Sequence, residues 1–201
     1  MTNVRFGCED LRHFFEELSI EFEKRSEPAS LFVVGGAAMA LLYDAERLTR
    51  DLDSVFFPAP AVREVAAIIA DKHGLDEDWI NDGVKGFLPS LPDEGEIVFE
   101  TPWLRVRVAS APYMLAMKLY SGRAESDLHD AVTLWRRVGF TSVDDGLALL
   151  EDAYSSRLLT AKHMHTTALV ASTAGTHQDW HLDSRTSTPL PASPPWTQEM
   201  S

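Results

Sequence analysis

A single cysteine, Cys8, occurs in the 201-residue chain. No internal disulfide can form, and a lone thiol of this kind suits a reducing compartment. Positive charge is also scarce: 18 Lys and Arg stand against 31 Asp and Glu, for a formal net charge of −13. Such a chain has no general attraction for nucleic acid or anionic lipid, so an RNA or nucleotide partner must meet a local basic site. Long apolar runs are missing too. None reaches the roughly 18 residues that span a bilayer, and no basic n-region with an apolar h-region opens the chain. The expectation is a cytoplasmic protein with no membrane partner. No internal repeat is visible.

What is present is the composition of a globular protein, with 45% hydrophobic and 24% charged residues. The length suits one core-bearing domain with a small helical annex. Apolar residues at Leu11, Phe14, Phe15, Leu18 and Phe22 predict an amphipathic helix over 9–25, stopped before Pro28. LFVV at 31–34 reads as a strand, Gly35-Gly36 as a tight turn, and AAMALLYDA as a helix. DLDSVFF at 51–57 reads as the next strand, ended by Pro58 and Pro60. A helix over 61–73 follows, with Gly74 as its C-cap. Residues 75–95 read as irregular. EIVFE (96–100) and WLRVRVA (103–109) read as strands, the second with Leu104, Val106 and Val108 on one face and Arg105 and Arg107 on the other.

Beyond that the pattern is helical: 112–121, 127–138, 143–153 capped by Ser142, and 155–170. From 172 onward Ser, Thr and Pro dominate. The expected organisation is an α+β unit over 1–110 with a mixed sheet and flanking helices, a helical region over 111–170 completing the site, and a disordered tail over 171–201.

The chemistry concentrates in two places that the chain order brings near each other. A strand–Gly35–Gly36–helix turn lets backbone N–H groups approach a phosphate at the positive end of a helix. Asp51 and Asp53 are two apart on a predicted strand, so they face one side with Cα atoms about 6.6–7 Å apart. Two such carboxylates suit Mg²⁺, a hard cation usually held by one or two acids plus substrate phosphates. Thr49 and Arg50, just upstream, offer a hydroxyl and a cation to a triphosphate. Taken singly, a Gly-Gly after a strand is usually only a turn, and a lone D-x-D is usually solvated surface. It is their order and spacing that point to nucleotide chemistry.

VVGGAAMALL…RLTRDLDSVFF resembles the opening motif of the DNA polymerase beta-type nucleotidyltransferase fold. More narrowly, R-x-T-x-D-x-D (Arg47, Thr49, Asp51, Asp53), followed by AMKLYSGR and DLHD, resembles the AbiEii/MenT-type nucleotidyltransferases of toxin–antitoxin systems. The resemblance covers roughly residues 30–140. It implies a nucleotidyltransferase-like fold, Asp51 and Asp53 as metal-binding carboxylates, Gly35 and Gly36 as the phosphate turn, Lys118 as a lysine contacting nucleotide phosphates, and Asp127 and Asp130 as the downstream acidic motif. Each of the later residues also has a plainer reading. Lys118 can snorkel from an apolar helix face, and Asp127 with Asp130 can serve as a helix N-cap pair. Arg123 and His129 read as surface, and His163 and His165, two apart on a helix, do not share a face.

The chain departs from the polymerase-beta pattern in one respect. Where many such enzymes carry a third carboxylate on a later strand, this chain has Arg105 and Arg107, with Glu96 and Glu100 as the nearest acids. A single-metal site with Arg107 near the triphosphate is as consistent as a two-metal site. The function expected is Mg²⁺-dependent transfer of a nucleoside monophosphate from an NTP to an acceptor hydroxyl. The resemblance implies tRNA or a protein as acceptor, and an antitoxin protein as partner. The alternatives are a small-molecule, antibiotic-type nucleotidyltransferase and a non-catalytic nucleotidyltransferase-like binding or antitoxin module.

Overall fold

A computed structural model describes residues 4–122 and 127–175. Its elements are α1 (Cys8–Arg25), β1 (Ala29–Val33), α2 (Gly35–Ala38), β2 (Leu52–Phe57), α3 (Ala59–His73), β3 (Ile80–Asn81), β4 (Glu96–Glu100), β5 (Leu104–Val108), α4 (Ala111–Ser121), α5 (Leu128–Val138), α6 (Val143–Ala153) and α7 (Ala161–Gly175). The result is a mixed α+β fold with a five-stranded sheet in the order β3-β2-β1-β5-β4. β1 is central, antiparallel to β2 and parallel to β5.

Alternation along the strands divides the sheet into two unlike faces. Leu31, Val33, Leu52, Phe56, Leu104, Val106 and Val108 are all buried on one face, against α1 and α3. The other face carries Ser30, Phe32, Asp53, Val55, Phe57, Arg105 and Arg107, none of them buried. That open face is the one on which the polar chemistry lies. The helices from α4 onward pack on one another, and α5 also touches the turn after α2, which joins the helical part to the start of the glycine segment. Among the described residues no helix is long and apolar enough to cross a membrane.

Several local features depart from the sequence expectation. Residues 75–95 contain the two-residue strand β3 and a 3₁₀ turn over Gly83–Phe87. The helix after the glycines is α-helical for four residues only and continues as a π-turn over Met39–Tyr43, closed by Asp44 N–H donating to Met39 O at 2.8 Å. The last helix starts at Ala161, not 155, after a 3₁₀ turn over Ser156–Leu158. There Thr160 N–H donates to His163 Nδ1 at 2.9 Å, tying the start of the helix to the residue before it. α7 also runs through Gly175, into the stretch expected as tail. The rest of that stretch, 176–201, lies outside the described residues, as does Arg123.

Candidate functional site

The double glycine lies against the D-x-D segment. Val34 N–H donates to Asp53 O at 2.9 Å, which carries the β1–β2 pairing one step beyond the strand and sets Gly35 beside Asp53. Gly35 has φ +68°, a conformation that L-residues with a Cβ rarely adopt. A Cβ built there would sit 2.7 Å from Asp53 Oδ2, and one built at Gly36 would sit 2.8 Å from Thr49 Oγ1. A side chain at Gly35 would have to displace the Asp53 carboxylate, and one at Gly36 would press on Thr49, just upstream of the D-x-D pair.

Thr49 is buried and pinned. Its N–H and carbonyl pair with Phe6 at 3.0 and 2.9 Å. Its hydroxyl donates to Asp51 O at 3.0 Å and lies 3.2 Å from Asp51 Oδ1. Asp51 itself is exposed and precedes β2 by one residue, and Asp53 is half-buried within β2. The alternation Leu52-in, Asp53-out, Ser54-in places Asp53 on the open face with Val55 and Phe57. The expected donor set of Thr49, Asp51 and Asp53 is thus gathered along one segment, against a glycine bend. Oxygen donors of this kind, with a cradle that a Cβ would fill, fit a hard divalent cation such as Mg²⁺ and its phosphate ligands. Arg50 lies in the bend between Thr49 and Asp51 and is exposed.

The downstream motif forms a second, linked cluster. Lys118 Nζ donates to Asp127 Oδ1 and Asp130 Oδ2, both at 2.8 Å. Asp130 Oδ2 also accepts from Arg47 Nη2 at 3.3 Å, and Asp127 Oδ2 accepts from Ser121 Oγ at 2.9 Å. Two cations thus face two carboxylates in a neutral network, with Asp130 fully enclosed. Asp130 Oδ1 and Arg47 Nε are both buried without a hydrogen-bond partner. Lys118 does not snorkel, because its ammonium is enclosed between the acids. Asp127 stands at the N-cap position of α5 but makes no cap hydrogen bond. Arg47 is the residue that fastens this cluster to the Thr49–Asp53 segment. Sequence reading named it only as a motif letter, because its partner lies 83 positions away.

Arg107 sits on β5 beside Phe32 of β1, on the open face. With Arg105, Ser30, Phe32, Val55 and Asp93 it borders a groove of about 300 Å³. The sequence drew attention to Glu96 and Glu100, but Glu100 is spent on Arg105, whose Nε donates to it at 2.6 Å, and Glu96 is exposed. The acids at the groove are Asp93 and Glu94. Asp93 accepts from Ser110 N–H at 2.8 Å and Gly95 N–H at 3.0 Å, which ties the loop before β4 to the start of α4. Gly95, two residues on, has φ +66°. Close by, Tyr43 OH donates to Ala109 O at 2.8 Å. Burial, with Asp93 and Glu96 nearby, pushes the Tyr43 phenol up to about 12, so it stays a donor.

His129 is largely exposed, as expected. His163 is buried, stacked on Tyr120 at 4.8 Å and bonded to Thr160, which is a packing role.

No curated protein and no solved structure matches the chain. A family model does match, over residues 9–156, and it spans α1 through α6 with every site residue described above. On that match the chain belongs to the family described as nucleotidyltransferase of unknown function (DUF6036).

Proposed function

We propose that the protein transfers a nucleoside monophosphate from an NTP to an acceptor hydroxyl, with Mg²⁺ held by Asp51 and Asp53. The acceptor oxygen bonds the α-phosphorus, the bond to the pyrophosphate oxygen breaks, and the hydroxyl proton leaves to a base or solvent. Bound Mg²⁺ supplies charge neutralisation on the phosphates and alignment for in-line displacement. Gly35 and Gly36 offer backbone N–H groups to the phosphates, and Thr49 orients Asp51 through its hydroxyl. Arg50 and Arg107 offset phosphate charge. Lys118, Asp127 and Asp130 form a braced unit. On the arrival of the triphosphate Lys118 turns one N–H toward a phosphate oxygen, and Asp127 orients the acceptor.

One observation carries this reading. A side chain at Gly35 would meet Asp53 at 2.7 Å, and one at Gly36 would meet Thr49, two residues upstream of Asp51, at 2.8 Å. A turn that merely reversed the chain would not need both glycines against Thr49 and Asp53. The likeness of R-x-T-x-D-x-D to AbiEii/MenT-type enzymes supports a tRNA end or a protein as acceptor, with a small antitoxin encoded beside it. A panel of RNA, protein and aminoglycoside acceptors separates that setting from small-molecule modification. The decisive variant is Asp53→Asn, assayed by transfer of label from α-labelled NTP; undiminished incorporation by a folded variant refutes the metal site.

A second reading, a nucleotide-binding module without turnover, is favoured by β5, which presents Arg105 and Arg107 instead of an acid. It expects NTP–Mg²⁺ binding by calorimetry with no pyrophosphate release on any acceptor.

A further inference from the structure

A second constellation stands apart from the residues discussed so far, where α1 packs on α3. His13 and Glu17 are four apart on α1, one turn along the same face. His73 is the last residue of α3, and Gly74 follows at φ +64°, turning the chain away at that helix end. Glu17 is buried although it is an acid. Its Oε1 lies 3.0 Å from His13 Nε2, and its Oε2 lies 2.9 Å from His73 Nε2. One ligand atom from each of the three side chains falls within 4.8 Å of the others. The imidazole of His73 is steadied by the Phe14 ring, 5.2 Å away, and the two imidazoles meet edge to face at 6.1 Å.

The geometry points to a three-ligand site for a divalent transition cation of the zinc class, formed by His13, Glu17 and His73 and tying α1 to α3. Two imidazole nitrogens and one carboxylate oxygen are a borderline donor set that suits Zn²⁺ and leaves a fourth position for water; Mg²⁺ prefers oxygen alone. Ligand atoms about 2.0–2.1 Å from a tetrahedral ion stand about 3.3 Å from one another. The 3.0 and 2.9 Å pairs go to different oxygens of Glu17, so coordination through one oxygen opens its own pair by a few tenths of an ångström. The wider pair must close, and His13, with a 58% exposed side chain, has the room to move. Glu16 Oε2 lies 3.7 Å from His13 Nδ1, on the side from which a carboxylate orients a metal-bound imidazole.

The plainer account makes Glu17 the hub of an ion-pair cluster. Lys72 Nζ holds Glu17 Oε1 at 2.7 Å and is itself 61% exposed, so it can swing into solvent. The two accounts differ over Lys72: in a metal site it is a competitor, and in an ion-pair hub it is the main partner.

The test is calorimetric titration of chelator-stripped full chain with ZnCl₂, in buffer with excess Mg²⁺ to occupy oxygen-only sites. One equivalent is expected to bind with micromolar or tighter Kd and to raise the melting temperature. His73→Ala and His13→Ala should each weaken binding at least tenfold, Lys72→Met should tighten it, and His129→Ala and Asp53→Asn should leave it unchanged. Circular dichroism checks that the variants fold, and His13→Ala, at an exposed position, is the least disruptive of them. Absence of binding overturns the site. So does affinity that survives in the His13→Ala/His73→Ala double variant, or that Lys72→Met leaves unaltered. None of these outcomes bears on nucleotidyl transfer, which Asp53→Asn tests separately.

Discussion

Replacing Gly35 with alanine separates a functional bend from an ordinary turn, because the fold contains its own control. Gly35 and Gly74 share nearly the same φ, +68° and +64°. A Cβ at Gly74 would meet nothing within 4 Å, whereas one at Gly35 would lie 2.7 Å from Asp53 Oδ2 and 3.3 Å from Asp53 Cβ. Left-handed backbone costs an alanine about 1–2 kcal/mol at either position. At Gly35 the Asp53 carboxylate must also rotate, adding about 0.5–1.5 kcal/mol if it leaves its rotamer. Gly35→Ala is therefore expected to lose about 1.5–3.5 kcal/mol and Gly74→Ala about 1–2 kcal/mol. At about 2–4 °C per kcal/mol for a chain of this size, the pair should differ by a few degrees in Tm. The larger effect is on function. Displacing a metal-binding carboxylate by about 1 Å can cost about 100-fold in rate, so Gly35→Ala should lose NTP transfer or Mg²⁺-dependent NTP binding while Gly74→Ala keeps both. Denaturant melts and calorimetry on the two variants suffice. Equal stability losses with nucleotide binding intact in both would refute the contact between the bend and Asp53 as the basis of the site.

Asp130→Ala removes the shared partner of Lys118 and Arg47 from a fully enclosed position; it should cost about 3–5 kcal/mol by urea unfolding, and a Lys118→Met/Asp130→Ala cycle should show coupling above about 0.5 kcal/mol. Gly146→Ala would drive a Cβ to 2.5 Å from the Trp135 ring and 2.7 Å from Thr167, so it should cost about 1–3 kcal/mol by overpacking and leave nucleotide affinity unchanged in the folded fraction. Burial raises the Glu17 pKa, but hydrogen bonds from Lys72 and His73 outweigh it and leave the carboxyl below its usual value. A depressed folded-state pKa gives stability that is full above the unfolded value near 4.5 and fades as pH falls through the folded value. Glu17→Gln should therefore flatten the acid limb of a stability–pH profile below that point, and an unchanged slope would contradict the assignment.

The sheet was legible where the sequence alternates strictly. LRVRV in β5 buries Leu104, Val106 and Val108, as its period of two requires. Ser142 caps α6 through a reciprocal capping box with Asp145, a local signal that tertiary context did not override. β3 was not legible, because two residues show no periodicity; Ile80 and Asn81 become a strand only by pairing with Leu52 and Asp53. The π-turn after α2 follows from a closure between Met39 and Asp44 that helix propensity does not encode. At the site, the glycine and D-x-D residues could be read because they are near in sequence and each has a local spacing rule. The Arg47–Asp130 tie and the Glu17–His73 contact link positions 83 and 56 apart, and no local window holds both partners. Asp93 escaped notice because its carboxylate caps a loop, a role that leaves no periodic trace.

The most direct measurement is titration of wild-type protein and Asp53→Asn with a non-hydrolysable NTP in the presence and absence of Mg²⁺, following the heat of binding. Wild-type protein should bind one equivalent with affinity at least tenfold higher when Mg²⁺ is present, and Asp53→Asn should lose that dependence while remaining folded. Magnesium-independent binding, or equal binding by both proteins, would contradict a metal site at the double-glycine bend.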